Sequence, residues 1–324
     1  CSTTTDIYPP CHICPSNRDT SPGSYSSDMS STHISRVLAG VLEPVTGQVY
    51  FSPECHSNYQ KLGFGASPRE LNGVMAPDGP AYFTSRGSVM GQVPGHVVAA
   101  TFAVFKPEVV LPSVAYGWTL TDATTICAAR DDGAIGQLHR IIGENPEGAP
   151  RARTLLSRAT AVLRPEGRAL FAGMSSLAMP GSVVGDVWRL GDMLREYRGD
   201  SHTAAWISAG FTACEIGVLS ELFWGMPIKT YSRSRGWDEA DYDEAIDRLL
   251  RDRLITDDGT LTAEGRAQRE LVEQNTDKQM ECVVRALGSD IDELIAILKP
   301  WGASIREKKG YPAAGPHDLA DAAN

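Results

Sequence analysis

One stretch of the sequence limits the fold more than any other, because it joins two helical patterns through a turn. Asp238 is a suitable N-cap for a helix whose apolar residues recur every three or four positions. Asp258 and Gly259 follow between two short runs of β-type residues, a setting typical of a tight hairpin. Thr262 then provides an N-cap for a long second helix. The predicted order is helix, two-stranded wing, helix.

The same stretch carries a family resemblance. LLRDRLITDDGTLTAEGRA resembles the region from the recognition helix to the wing of MarR-like proteins. Other segments look like those of an actinobacterial helix-turn-helix family, namely YFTSRGSVMG, LREYRGDSH, SRGWDEADYDEAIDRL and TAEGRAQRELVEQNTD. The resemblance implies a mainly α fold with a MarR-like winged helix at about residues 238–286 and a small β-hairpin as its wing. It also implies a homodimer and a role in transcription regulation.

Composition and turn residues divide the chain into four parts. Residues 1–28 are rich in Ser, Thr and Pro with almost no aliphatic residues, so we expect a disordered leader. A cluster of Pro and Gly interrupts the helical patterns near residue 146. We place there the boundary between a helical N-terminal half, 29–146, and a helical C-terminal half, 147–306. Residues 307–324 are expected to form a flexible tail.

Two short segments in the two halves resemble each other. PGHVVAATF begins at Pro94 and PGSVVGDVW begins at Pro180, and both contain Pro-Gly, a pair of valines and a final aromatic residue. The match favours an internal duplication, in which the N-terminal half contains a winged-helix-like repeat. Two apolar helices that begin with proline would look alike without a duplication, and this is the alternative.

Charge and cysteine usage narrow the class of protein. A net charge of −10 repels nucleic acid at long range, so any DNA contact has to come from a local basic patch. Cys55, Cys127, Cys214 and Cys282 are scattered singly, as free thiols in a reducing cytosol are. No apolar run approaches the roughly 18 to 20 residues that span a bilayer. We therefore expect a cytoplasmic protein without a membrane partner.

Signatures of common enzyme and metal sites are missing from the sequence. The chain lacks the G-x-S-x-G elbow, the P-loop, the dinucleotide G-x-G-x-x-G motif and the H-E-x-x-H motif. Cys11 and Cys14 have zinc spacing, but no second ligand pair follows, and no two histidines lie four residues apart. We predict no metal site and no cofactor, and the sequence identifies no catalytic residue.

The helix that begins at Asp238 would enter the DNA major groove if the unit bound DNA in the usual way. Arg233 and Arg235 precede this helix and Arg248 lies near its end, so these arginines are the candidate DNA-binding residues. A winged helix that serves only as a scaffold or dimer platform is the alternative. It is favoured by carboxylates at the helix start, which oppose the counterion release that drives DNA binding. They are Asp238, Glu239, Asp241, Asp243, Glu244 and Asp247.

A candidate ligand site lies on the helix predicted after Pro180. The apolar face that includes Trp188 continues, at steps of three or four residues, to Arg198 and His202. With Asp200 nearby, Arg198 could hold an anionic group and His202 a proton. The alternative is a buried network of ion pairs that ties the two halves together.

Two expectations complete this site. We expect the helix to break at Gly199, because glycine weakens a helix interior. We expect Arg86, in a small-residue segment read as a loop, to face the same cavity, because the duplication would place it there. Arg86, Trp188, Arg198, Asp200 and His202 are therefore the candidate ligand-binding residues.

These patterns favour a small-molecule-responsive winged-helix protein, a transcriptional regulator or ligand sensor with weak or atypical DNA binding. An enzyme or ligand-binding protein that reuses the scaffold, with its pocket around Arg198, Asp200 and His202, is the second hypothesis. A non-catalytic interaction scaffold is the third. The predicted partners are a small-molecule ligand, DNA and a second copy of the chain.

Overall fold

The computed structural model describes residues 28–71 and 73–312. Within this range the chain is mainly α-helical, as predicted, with a two-stranded antiparallel sheet, β1 (Glu70–Leu71) and β2 (Val74–Met75). No helix in the same range is both long enough and apolar enough to span a bilayer. The helices are α1 (Asp28–Gly47), α2 (Pro53–Lys61), α3 (Gly79–Gly87), α4 (Gly95–Phe102), α5 (Pro107–Leu120), α6 (Ala123–Ile142), α7 (Ala149–Thr160), α8 (Ala169–Ser175), α9 (Val183–Ser208), α10 (Ala213–Phe223), α11 (Glu239–Arg251), α12 (Ala263–Leu287) and α13 (Asp290–Glu307).

The helices begin where the sequence provides capping side chains. At the start of α10, the Thr212 hydroxyl accepts a hydrogen bond from the backbone N–H of Glu215, whose carboxylate accepts from the N–H of Thr212. Asp238 and Asp241 form the same reciprocal pair at the start of α11. Each capping box satisfies backbone donors that a helix start leaves unpaired.

The largest hydrophobic core is built around α9. Trp188 of α9 is fully buried, its indole N–H donates to the carbonyl oxygen of Thr46 in α1 at 3.2 Å, and the guanidinium of Arg130 lies 5.0 Å from its ring. Helices α1, α2, α6, α7, α9, α12 and α13 all contribute buried residues to this core. The predicted boundary near residue 146 falls between α6 and α7, and helices on both sides of it share the core.

The structure corrects two local predictions. Helix α9 continues through Gly199 without a break, because buried residues such as Leu194 and Trp206 hold it on both sides of the glycine. Arg86 lies in the last turn of α3 and not in a loop. Asp78 caps that helix through a hydrogen bond from the N–H of Ala81, and a first-turn proline fits the same start.

The two segments proposed as a repeat both begin helices, but of different lengths. Pro94 is the N-cap of the short helix α4, which ends at Phe102 and whose C-cap residue, Ala103, has a φ of +44°. Pro180 lies two residues before Ser182, the N-cap of the long helix α9. The duplication stays a prediction.

The C-terminal unit contains the two predicted helices, and a single β-bridge lies where a two-stranded wing was predicted. Helix α11 packs on α10 in a core of its own, which includes Val218, Tyr242 and Leu249. An antiparallel bridge between Ile255 and Leu261 then closes the turn before α12. The winged-helix and MarR-like assignments stay predictions.

The chain ends lie partly outside the described residues. Except for Asp28, the predicted leader lies outside the described residues, and so does most of the predicted tail. The first residues of that tail are packed: Glu307 ends α13, and the buried Tyr311 donates a hydrogen bond to Glu43 at 3.0 Å.

Two glycines of α6 provide a test of how closely α2 and α6 pack. A Cβ atom on Gly133 would lie 2.5 Å from Sγ and 2.6 Å from Cα of Cys55 in α2, whereas one on Gly136 would meet only the Glu54 side chain at 3.5 Å. We expect Gly133→Ala to lower the free energy of unfolding by about 1–3 kcal/mol, because the α2 backbone has to move. Gly136→Ala should raise it by up to about 1 kcal/mol, because alanine favours helix. Urea unfolding measures both, and equal effects would contradict the close packing.

Candidate ligand cavity

A cavity of about 250 Å³ lies between α1, α9, α10 and α12. The segment that connects α10 to α11 closes one side of it through Trp224, Tyr231 and Arg235. Three residues that the sequence analysis selected line the cavity together: Arg86, Arg198 and His202. The arginine from α3 and the two residues from α9 thus line the same cavity.

Glu196 organises the end of the cavity near α3. Its two carboxylate oxygens accept hydrogen bonds from Arg86 at 3.0 and 2.7 Å, and one of them also accepts from Arg195 at 2.9 Å. Burial alone would raise the pKa of Glu196, but the charges of Arg86 and Arg195 outweigh it and hold the pKa at about 2. This carboxylate is therefore ionised, and the Arg86 guanidinium forms a hydrogen-bonded ion pair with it.

Glu273 of α12 organises the opposite end. Its carboxylate lies 2.8 Å from Nη1 of Arg269 and 3.1 Å from Nη2 of Arg198, and its Oε1 is 3.8 Å from Nδ1 of His202. Burial would raise the pKa of Glu273, but these three basic neighbours hold it well below its usual range. Arg198 also donates to Asp277 at 3.1 Å, so its guanidinium is shared between two carboxylates.

His202 is oriented by a hydroxyl group of α12. Nδ1 of His202 lies 3.2 Å from Oγ1 of Thr276, and that hydroxyl donates its own proton to the carbonyl oxygen of Val272 at 2.8 Å. The Thr276 oxygen is then the acceptor, which places a proton on Nδ1 of His202.

Two of the predicted ligand-binding residues, Trp188 and Asp200, do not line the cavity. Trp188 is enclosed in the core between α1 and α6. Asp200 accepts a hydrogen bond from the backbone N–H of Phe171 at 3.2 Å, in the first turn of α8. Asp200 therefore caps a neighbouring helix, whose own N-cap residue, Arg168, makes no capping bond.

The remaining wall of the cavity combines arginines with aromatic rings. The Arg269 guanidinium lies 5.7 Å from the ring of Trp224, which contacts the ring of Tyr231 at 6.3 Å. The Arg235 guanidinium lies 4.9 Å from the Tyr231 ring and 5.1 Å from that of Phe105. Sequence reasoning missed Arg269 and Trp224, since no local motif marks them, and it assigned Arg235 to DNA.

The three candidate DNA-binding arginines have different surroundings. Arg233 is exposed, Arg235 lines the cavity, and Nε of Arg248 lies 2.9 Å from the buried carboxylate of Glu215. The exposed residues of α11 are mostly acidic. They include Glu239, Asp243, Glu244 and Asp247.

The start of α11 is anchored to the segment between α4 and α5. The indole N–H of Trp237 donates to the carbonyl oxygen of Val104 at 3.0 Å, and Nζ of Lys106 reaches the carboxylates of Asp238 and Asp241 at 2.7 and 2.5 Å. Val104 also lines the cavity. The cavity and the first turn of α11 thus share a structural support.

The raised pKa of Asp200 makes the stability of the protein depend on pH. Burial, and then the charge of Glu196, raise the pKa of Asp200 to about 7, above the value near 4 of an aspartate in an unfolded chain. The folded protein therefore keeps a proton that the unfolded chain loses. The resulting contribution of Asp200 to the free energy of unfolding is fully present below about pH 4 and is lost as the pH rises to about 7.

The variant Asp200→Asn keeps an acceptor for the Phe171 N–H but cannot titrate. We expect the unfolding free energy of the unmodified protein to fall, relative to the variant, between about pH 4 and pH 7. Urea unfolding at several pH values measures the difference, and a difference that is constant with pH would contradict the assignment.

Among the described residues, no group of three or more His, Cys, Asp or Glu side chains could hold a metal ion.

Most of the chain is similar to one family of known proteins. No curated protein and no solved structure matches the chain. The model of a helix-turn-helix family matches residues 35–312, which include every element from the middle of α1 to the end of α13. The chain belongs to this helix-turn-helix family.

Proposed function

We propose that this protein is a small-molecule-responsive regulator that binds DNA weakly through a winged-helix unit at residues 238–286. The observation that carries the proposal is the position of the cavity. Its wall includes α10 and the segment that leads into α11, the helix that would face DNA. A ligand that fills the cavity therefore contacts the part of the chain that positions α11.

One hydrogen bond links the cavity wall directly to α11. Ser232 lines the cavity, and its hydroxyl lies 2.8 Å from the hydroxyl of Tyr242 in α11. The backbone N–H of Ser232 donates to the buried carboxylate of Glu221 in α10 at 2.6 Å. A ligand that displaces Ser232 would disturb both helices, and such differential contact with two states is what a ligand-driven switch requires.

The charge of α11 limits how this protein can bind DNA. Its exposed face carries carboxylates, and a DNA-binding surface gains most of its non-specific affinity by replacing counterions with Lys and Arg. Arg233 precedes this helix and Arg251 ends it, and both arginines are exposed. We therefore expect weak binding that is detected only at low salt concentration. The MarR-like subtype and a homodimer follow from the resemblance of the sequence and are part of the proposal.

A second candidate function is a ligand-binding protein or enzyme that reuses the scaffold without DNA. The acidic face of α11 favours it, as does the placement of His202 and Glu273 at the same cavity. A scaffold role is the third candidate, and it predicts that neither DNA nor a small molecule binds.

DNA binding separates these functions. We expect labelled fragments of the source genome to show an increase in fluorescence anisotropy at about 10 mM salt that largely disappears at about 150 mM. Absence of binding at the lower salt concentration would remove the regulator function and leave the cavity unaffected.

A charge reversal tests whether α11 is the helix that faces DNA. Glu244→Lys on its exposed face should tighten binding at low salt and steepen the dependence of log K on log[salt] by up to about one. The matched control is Asp292→Lys, which makes the same change in net charge at an exposed position of α13. If both variants bind alike, DNA does not lie against α11.

A further inference from the structure

Several guanidinium nitrogens at the cavity have no hydrogen-bond partner in the described part of the chain, and two of them belong to Arg269. Arg269 is fully buried, and its Nε donates to Ser220 at 3.0 Å. Its Nη1 lies 2.8 Å from the Glu273 carboxylate but without the geometry of a hydrogen bond, and its Nη2 has no hydrogen-bond partner either. A buried guanidinium donor without an acceptor is costly, and an ion or water that belongs to the functional protein is the usual explanation.

Arg235 lies on the same wall and, within the described residues, has no counterion. Arg235 donates to the Tyr231 hydroxyl at 3.0 Å and packs against two aromatic rings, but it pairs with no carboxylate within residues 28–312. The carboxylates that line the cavity are engaged elsewhere. Glu43 and Glu196 pair with Arg195, and Glu273 pairs with Arg198 and Arg269.

The charge of the lining is therefore unbalanced. Five arginines but only three glutamates line the cavity. The excess lies on the wall that carries Arg235 and Arg269, because the other arginines contact a carboxylate with good hydrogen-bond geometry. An anionic ligand would supply the missing charge, and a hydrogen bond between a guanidinium and an anion is stronger than one between neutral groups.

The rest of the lining is apolar. Side chains of α1, α10 and α12 line it, among them Leu38, Ile216 and Met280. A cavity of 150 Å³ accommodates benzene, so one of about 250 Å³ suits a ligand of on the order of ten heavy atoms. A ligand of this size can contain one charged group and an apolar body.

We propose that the cavity binds a small apolar carboxylic acid, with its carboxylate on the wall formed by Arg269, Trp224, Tyr231 and Arg235 and its apolar body against α1 and α12. The planar guanidinium fork matches a carboxylate. This inference rests on the proposed function in one respect, because it names the ligand class of the same cavity. Arg198, which was predicted from the sequence to hold an anion, and Arg86, which was predicted to face the same cavity, are already paired with protein carboxylates.

The test uses sodium octanoate and its neutral analogue octanamide, both of about ten heavy atoms, titrated into the full chain in a calorimeter without DNA. We expect octanoate to bind at least about tenfold more tightly than octanamide. Equal binding of the two, or no binding of octanoate, would overturn the proposal.

Variants locate the carboxylate. Arg235→Gln, at a half-buried position, should weaken octanoate binding at least about tenfold, the effect of losing a charge-assisted hydrogen bond, while octanamide binding is unchanged. Arg269→Gln should do the same, with thermal melting to establish that it folds. The control is Arg251→Gln, an equal charge change at an exposed position of α11.

Octanoate binding that survives both cavity variants, or falls as much in the control, would contradict the assignment. Because no DNA is present, failure of the regulator function leaves this result intact, and the reverse also holds.

Discussion

A buried carboxylate between two guanidinium groups holds the N-terminal helices of this protein to its central helix. Glu196 of α9 joins Arg86 of α3 to Arg195 of its own helix, and the hydroxyl of Tyr50 completes the group. Removing either kind of charge would leave the other buried without a partner, which is strongly destabilising. The cavity depends on this group, because it fixes the end at which α3 meets α9.

Helical periodicity was sufficient to find part of the cavity. Arg198 and His202 are four residues apart and therefore lie on one face of α9. The same argument failed for Trp188, because every residue from Val184 to Asp192 is buried and that part of α9 has no solvent face. It failed for Asp200 because the N–H that this carboxylate caps belongs to another helix, α8.

Other parts of the site carry no local signal. Glu273 lies on a helix rich in charged residues, and such a pattern usually indicates a face in solvent. Arg269 lies one turn before Glu273 on the same helix, but only tertiary packing brings Arg198 of α9 beside this pair. The order of helix, turn and helix near the C-terminus was predictable, since capping residues and an Asp-Gly turn act within a few positions of the chain. The balance of charge inside a cavity depends on several helices at once.

The anchor at the start of α11 has a consequence for any attempt to isolate the C-terminal unit. The carboxylates of Asp238 and Asp241 share the ammonium group of Lys106, just before α5, and the indole N–H of Trp237 donates to the carbonyl oxygen of Val104, two residues after α4 ends. A truncated chain that carried only α10 to α12 would lack both partners. Such a fragment would therefore lose the contacts that fix the first turn of α11.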